Sequence, residues 1–163
     1  MVFESSNYII DFVKEPDHEA ILNIYNSNTK FLKHHMDREA VDQEWLLEEL
    51  QTMKEAHFVS CKITSKTSKE IVGFLDFKIR LETYLSLLMI DNDNKGQGIG
   101  TEVYKAFEAF VFKQSKTLRI DVISNYDKSV IAFWEKQGFE ITDRIKLNWN
   151  EKVLPAVVMK KHL

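Results

Sequence analysis

Seven consecutive residues, Lys95-Gly96-Gln97-Gly98-Ile99-Gly100-Thr101, carry the clearest chemistry in the chain. Glycine at alternate positions lets a phosphate approach the backbone without meeting a Cβ, and it permits the positive φ that a curled loop needs. Thr101 adds a hydroxyl and Lys95 a positive charge at the rim. Such a segment can hold a pyrophosphate if its N–H groups are left free. A helix starting there leaves them free, because the first N–H groups of a helix have no partner within it and carry roughly half a positive charge. No cluster of His, Cys, Asp and Glu has metal-ligand spacing.

The flanking residues supply the elements that the loop requires. Leu85 to Ile90 is apolar except for Ser86, as in a strand covered on both faces. Asp91, Asn92, Asp93 and Asn94 make a turn. From Ile99 onward the apolar residues are Ile99, Val103, Phe107, Phe110 and Val111, the spacing of one helix face. That helix ends near Gln114, and Thr117 to Ser124 follows as a strand. Strand, helix and strand in this order predict a parallel pair with a right-handed crossover. Asp127 to Gln137 is then a helix, with Asp127 as N-cap and Gly138 as the residue that ends it.

Upstream, Tyr8 to Val13 reads as a first strand and Pro16-Asp17 as a helix start, with Asn26 to Asn28 ending that helix. Thr29 to Arg38 is expected to be irregular. Ala40 to Met53 is a second helix with an apolar stripe of Val41, Trp45, Leu46, Leu50 and Met53 and an opposite face of Asp42, Glu44, Glu48 and Glu49. His57 to Thr64 and Glu70 to Ile79 form a hairpin that leads to the central strand, Glu82 to Ile90. Phe139 to Trp149 and Lys152 to Lys161 form a last hairpin, in which Pro155 makes the second strand start late or bulge. The predicted fold is a mixed α/β (α+β), mostly antiparallel sheet of six to seven strands flanked by helices, with a parallel central strand pair, all in one domain spanning residues 1–163.

At 163 residues with net charge −3, the chain has no global electrostatic case for nucleic acid or an anionic membrane. The only cysteine, Cys61, shares an alternate face with Val59 and Ile63, so it reads as a buried, inert thiol. The start lacks a basic, then apolar, secretion signal, and no apolar run approaches the ~18 residues of a membrane span. A soluble cytoplasmic protein is expected.

Taken together these residues resemble the GNAT acyltransferases. That family's first signature, Arg/Gln-x-x-Gly-x-Gly/Ala, reads here as Lys95-Gly96-Gln97-Gly98-Ile99-Gly100, after a buried strand and at a helix start. Its second, an aromatic pair followed by Gly-Phe, reads as Phe133-Trp134-Glu135-Lys136-Gln137-Gly138-Phe139. One strand separates the two blocks, as in the family. The likeness is good from Glu70 to Phe139, and the region before Ala56 matches in layout only.

The resemblance implies transfer of an acyl group, usually acetyl, from acetyl-CoA to a primary amine, with no metal and no covalent enzyme intermediate. Gly96, Gln97, Gly98, Ile99, Gly100 and Thr101 would hold the pyrophosphate, with Lys95 in place of the usual Arg or Gln. Leu88, Met89 and Ile90 would pair with the pantetheine arm, and an N–H of that strand would stabilise the oxyanion. Asn125 or Asp127 would reach the cofactor. Trp134 stands where the family has a tyrosine that protonates the leaving thiolate; an indole N–H is not a practical acid, so Trp134 shapes the tunnel or bonds the sulfur. Tyr126, Tyr104 and Tyr84 are replacement donors. Glu82 is the first candidate base for the acceptor amine, with Asp76 and Asp121 behind it. Phe31, His34, His35 and Trp45 are expected to line the acceptor pocket, for a small-molecule or peptide amine. Homodimerisation is a family-level expectation, with the last hairpin and its exposed Trp149 as the interface. The rival reading is a non-catalytic acyl-CoA-binding sensor or regulatory module.

Overall fold

A computed structural model describes residues 1–163. One eight-stranded sheet runs in the order β1-β2-β3-β4-β5-β6-β8-β7. Its strands are β1 (Phe3–Glu4), β2 (Tyr8–Phe12), β3 (Val59–Ser65), β4 (Ile71–Lys78), β5 (Glu82–Ile90), β6 (Thr117–Ile123), β7 (Glu140–Trp149) and β8 (Lys152–His162). All neighbours are antiparallel except β5 and β6. The short β1 accounts for the strand beyond the seven read from sequence.

The helices are α1 (His18–Ser27), α2 (Thr29–Met36), α3 (Gln43–Glu55), α4 (Ile99–Val111) and α5 (Lys128–Lys136). None is long and apolar enough to cross a membrane. They cover the two faces of the sheet separately. Val103, Phe107 and Val111 of α4 and Trp134 of α5 join Leu75, Phe77, Leu85, Leu118, Ile120 and Val157 in the larger core. Ile21, Ile24 and Tyr25 of α1, Leu32 and Met36 of α2 and Trp45 and Leu46 of α3 bury Phe74 and Met89 on the opposite face.

Two expectations are corrected. Thr29–Met36 is a helix, with Phe31, Leu32, His35 and Met36 at helical spacing and Asp37 closing it in the left-handed conformation (φ 54°). Pro155 neither delays nor bulges β8. It faces Lys146 of β7 without a shift in register, and its carbonyl accepts from Ser124 N–H at 3.0 Å; the one bond forgone, from the N–H it lacks to Ser124, falls just past the end of β6, where the ladder stops in any case.

Gly73 of β4 leaves no room for a side chain against β5: a Cβ there would lie 2.5 Å from the Met89 carbonyl oxygen. On the same strand Asp76 is 3% exposed beneath α1 and α3, with the Ser60 hydroxyl donating to its carboxylate. Burial pushes Asp76 up to about 7, with Glu49 adding to the rise and Ser60 opposing it. The carboxyl is therefore protonated more readily in the folded than in the unfolded chain. Its contribution to stability is full below about pH 4 and is lost as pH rises through about 7. Each unit of difference is worth about 1.4 kcal/mol. Asp76→Asn, which keeps the shape and can still bond Ser60, is expected to raise the urea midpoint at pH 8. At pH 4 the gain should vanish. Equal gains at both pH values would show that charge burial is not the cause.

Candidate active site

Parallel strands β5 and β6 pair only through Glu82↔Thr117, Thr83↔Leu118 and Tyr84↔Arg119, and then diverge. The cause lies on the other edge of β5. Leu85 pairs with Phe77 and Leu87 with Asp76, leaving Ser86 as an extra residue that bends the strand. Beyond that bulge the ladder to β4 alternates. Asp91 N–H donates to Val72 C=O at 2.8 Å, which puts Asp91, Met89 and Leu87 in the hydrogen-bonded positions. The backbone groups of Leu88 and Ile90 then face the gap that β6 has left. The Ile90 carbonyl is taken by the Asn28 amide at 3.0 Å. The Leu88 N–H and C=O and the Ile90 N–H remain available to an extended ligand.

A cavity of about 380 Å³ fills this gap, walled by Leu85 to Ile90 on one side and Ile120 to Ile123 on the other. Phe133 and Trp134 of α5 form its floor, and Lys95, Gly100 and Asp127 stand at one mouth. That mouth is the glycine loop. Gly96 and Gly98 have φ of 79° and 78°, and a Cβ at either would meet nothing within 4 Å. Gly100 has no such φ; its Cβ would make ordinary contact with Phe133 at 3.7 Å. The first helical bond of α4 runs from Glu102 N–H to Gly98 C=O, so no backbone carbonyl claims the N–H groups from Gly96 to Thr101. Glu102, the acid of that first turn, is drawn away toward the N-terminal segment, accepting from Ser5 Oγ at 2.6 Å and Asn7 N–H at 2.8 Å. Lys30 lies close enough to Lys95 and Asp127 to act on both electrostatically, which adds a second cation at this mouth.

A second part of the lining is aromatic. α2 bridges the two halves of the sheet there. Phe31 stacks on His35 at 3.9 Å between centroids, and His35 meets Tyr126 at 5.0 Å and Trp149 at 5.3 Å, each edge-on. His35 is buried, and its Nδ1–H donates to the Phe31 carbonyl at 2.9 Å, so its lone pair is on Nε2. Burial pushes this imidazole down to about 4, so it is neutral at physiological pH.

The sequence-based candidates fall into two groups. Leu88, Met89, Ile90, Lys95, Gly100, Asp127, Trp134, Phe31 and His35 all line the cavity, as do Tyr126 and Asp121. Asn125 and His34 sit just outside it, joined by a 2.9 Å hydrogen bond. Asp127 caps α5 by accepting from Ser129 N–H at 2.9 Å. Glu82 is elsewhere: it occupies the paired end of β5 and is held by Lys160 Nζ at 2.6 Å. The base role expected for Glu82 does not fit that position. Trp45 is a core residue, edge-on to Tyr25 and donating its indole N–H to Asn150 at 3.1 Å; it does not line the acceptor side. Asp76 is enclosed beneath α1 and α3 and also lines no part of the cavity.

Among the three tyrosines the structure discriminates. The Tyr104 hydroxyl bonds Glu108 and the Tyr84 hydroxyl bonds Asp121, and neither residue lines the cavity. Tyr126 does, with burial raising its pKa, so it stays protonated. Asp121 is closed as a base: Arg119 grips it with a fork of 2.9 and 3.0 Å and Tyr84 donates to it at 3.1 Å. Trp149, expected at an exposed interface, is half-buried in the cavity wall.

A family model described as an acetyltransferase (GNAT) domain matches residues 15–163. No curated protein sequence matches. Among solved structures, an acetyltransferase from Thermus thermophilus superposes with a TM-score of 0.77 at 20% identity, covering 96% of this chain and 97% of that one. A ribosomal-protein-alanine N-acetyltransferase from Brucella melitensis gives 0.68 at 22% identity, covering 95% and 99%. The RimL ribosomal L7/L12 alpha-N-protein acetyltransferase in complex with coenzyme A gives 0.76 at 16% identity, covering 98% and 96%. At these identities the likeness establishes a shared fold.

Proposed function

The chain belongs to the GNAT acetyltransferase family, and from that premise we propose that it transfers an acetyl group from acetyl-CoA to a primary amine by direct attack. The observation that carries this reading is the alignment of two features: the unclaimed N–H groups from Gly96 to Thr101, and the bulge-opened strand whose Leu88 backbone faces an empty ladder position. A pyrophosphate suits the first and a pantetheine arm with its two amides suits the second.

In this reading the loop N–H groups hold the pyrophosphate, and Lys95 and Lys30 offset its charge. Leu88 pairs with the pantetheine amides. The N–H of Leu88 or Ile90 stabilises the oxyanion as the amine nitrogen attacks the thioester carbonyl carbon. The C–N bond forms and the C–S bond breaks. One proton leaves nitrogen and one reaches sulfur, so the sum is proton-neutral. Tyr126 donates to the sulfur, and Trp134 forms the wall beside it. The acceptor is a small molecule or a peptide terminus; the Brucella and L7/L12 enzymes named above act on protein amines. We assign the protein to the cytoplasm, where acetyl-CoA and a lone reduced Cys61 are both compatible with it.

The test is titration calorimetry with acetyl-CoA, followed by thiol release in the presence of an amine panel. Saturable micromolar binding with amine-dependent release supports the reading. No binding at millimolar acetyl-CoA by a folded protein overturns it. Trp134 at the position of the family's proton donor favours one second reading, a non-catalytic acyl-CoA sensor. That reading requires binding without turnover on any amine.

A further inference from the structure

We propose that the acceptor is a small primary amine on an apolar or aromatic body, seated between Phe31, Tyr126 and Trp149 with its nitrogen hydrogen-bonded to Nε2 of His35. The inference rests on the acyl-transfer reading above and deepens it.

Three features of the aromatic lining lead there. The first is its composition. Rings from α2, from the segment between β6 and α5, and from the end of β7 converge on His35 at centroid distances of 3.9 to 5.3 Å. Such walls take an apolar body, and their faces attract a single ammonium before it loses its proton. The second is the polar atom they surround. The Phe31 carbonyl fixes His35 as the Nδ1–H tautomer, so a lone pair is held ready at Nε2 whatever the ligand does. A neutral acceptor atom can orient an amine N–H without demanding a second charge. The third is the state of the nearest carboxylates. Asp121 has both oxygens occupied by Arg119 and Tyr84. The acidic residues of α3 and its cap (Asp42, Glu44, Glu48 and Glu49) line no part of the cavity. Asp127, the other carboxylate of the lining, caps α5 and already faces Lys95 and Lys30, so a polyamine would bring further ammonium groups among the aromatic rings with no unshared anion to receive them.

The wall that carries Trp149 is braced from outside, which suits a compact acceptor body seated on fixed rings. Lys152 Nζ, just past the tip of the β7–β8 hairpin, donates to the His34 carbonyl at 2.7 Å and to Asp37 at 2.9 Å. Trp45 Nε1–H donates to Asn150 at the tip itself at 3.1 Å. These three bonds strap the hairpin that carries Trp149 to α2 and α3 and so hold the aromatic wall in place.

The experiment compares initial thiol-release rates at saturating acetyl-CoA for 2-phenylethylamine, spermidine and a tetrapeptide with a free N-terminus. The expected kcat/KM for 2-phenylethylamine exceeds both others by at least tenfold. His35→Phe, which keeps a ring in the stack and removes the lone pair, is expected to raise KM for 2-phenylethylamine at least tenfold. KM for acetyl-CoA should stay unchanged, and His35→Gln should recover part of the loss. If His35→Phe does not fold, Trp149→Leu, at a half-buried position, is expected to raise the same KM. Preference for spermidine or the peptide overturns the proposal, as does an amine KM indifferent to His35 or Trp149. Transfer to none of the three by a protein that binds acetyl-CoA removes the acceptor assignment alone. Absence of acetyl-CoA binding removes the underlying reading as well.

Discussion

Gly98→Glu is expected to fold and to lose acetyl-CoA affinity by at least about 100-fold. Gly98 is the N-cap of α4 at φ 78°, with open space where a Cβ would go. A side chain in that conformation costs about 1–2 kcal/mol, which a domain with the usual ~5–15 kcal/mol of stability withstands. In the proposed reading the anion takes that open space. A glutamate there places a carboxylate against the unclaimed N–H groups that start at Gly96 and sets a negative charge against the pyrophosphate. Losing two charge-assisted hydrogen bonds, at ~1.5–3 kcal/mol each, corresponds to about 100-fold or more in Kd. Calorimetric titration with acetyl-CoA reads the loss, and a thermal melt of the same sample reads the fold. Gly100→Ala is the informative contrast. Its Cβ meets Phe133 at an ordinary 3.7 Å and needs no unusual φ, so its melt should match the parent's. Undiminished binding by Gly98→Glu would move the pyrophosphate off this loop.

That loop is the part of the site most legible from residues alone. Glycine spacing, the apolar strand before it and the helical period after it are local signals, and each depends on backbone requirements that only a few residue types satisfy. The parallel pair followed from the order of elements. The misreadings concern how distant segments meet. Asn26 to Asn28 looked like a helix end followed by loop, yet Asn28 spans to the Ile90 carbonyl and α2 begins at once, so a capping signal had a tertiary use. Glu82 and Leu88 belong to one strand, but which end opens depends on a bulge at Ser86 and a three-residue pairing with β6; neither has a sequence signature. Trp45 was correctly placed on the apolar stripe of α3, and for that reason it serves the core instead of the pocket. Trp149 reaches the cavity from the tip of the edge strand β7, where it meets Phe31 and His35 of α2, a meeting that no periodicity reports.

Tyr126→Phe is expected to lower kcat by about 10²–10⁴-fold, the usual contribution of a positioned acid, with little change in acetyl-CoA binding. Three tyrosines could stand in for a donor that Trp134 cannot be. Tyr104 is committed to Glu108, and Tyr84 to the Asp121–Arg119 fork. Tyr126 alone lines the cavity, on the segment that enters α5, one residue before the Asp127 cap. Burial holds its hydroxyl above the ordinary value, so it carries its proton across the neutral range and gives it up only to a stronger base. A thiolate of ordinary pKa about 8.5 is the weaker base, so Tyr126 acts first by hydrogen-bonding the sulfur as charge builds there, and desolvation of the thiolate in the cleft is what draws the proton across. The substitution removes one oxygen and keeps the ring against His34 and His35, so the aromatic lining should stay assembled. Trp134→Tyr, made in the Tyr126→Phe background, tests the same logic from the other side. Trp134 lies edge-on to Tyr104, Phe133 and Phe139 at 4.9 to 5.4 Å, a setting that accepts a smaller ring. A phenol placed there should restore part of kcat if the missing element is a proton donor. If Tyr126→Phe keeps the parent kcat, the thiolate leaves unaided, which a leaving-group pKa of about 8.5 permits. The observable is then a rate that Tyr126→Phe leaves unchanged and that is set by the pH at which the acceptor amine loses its proton.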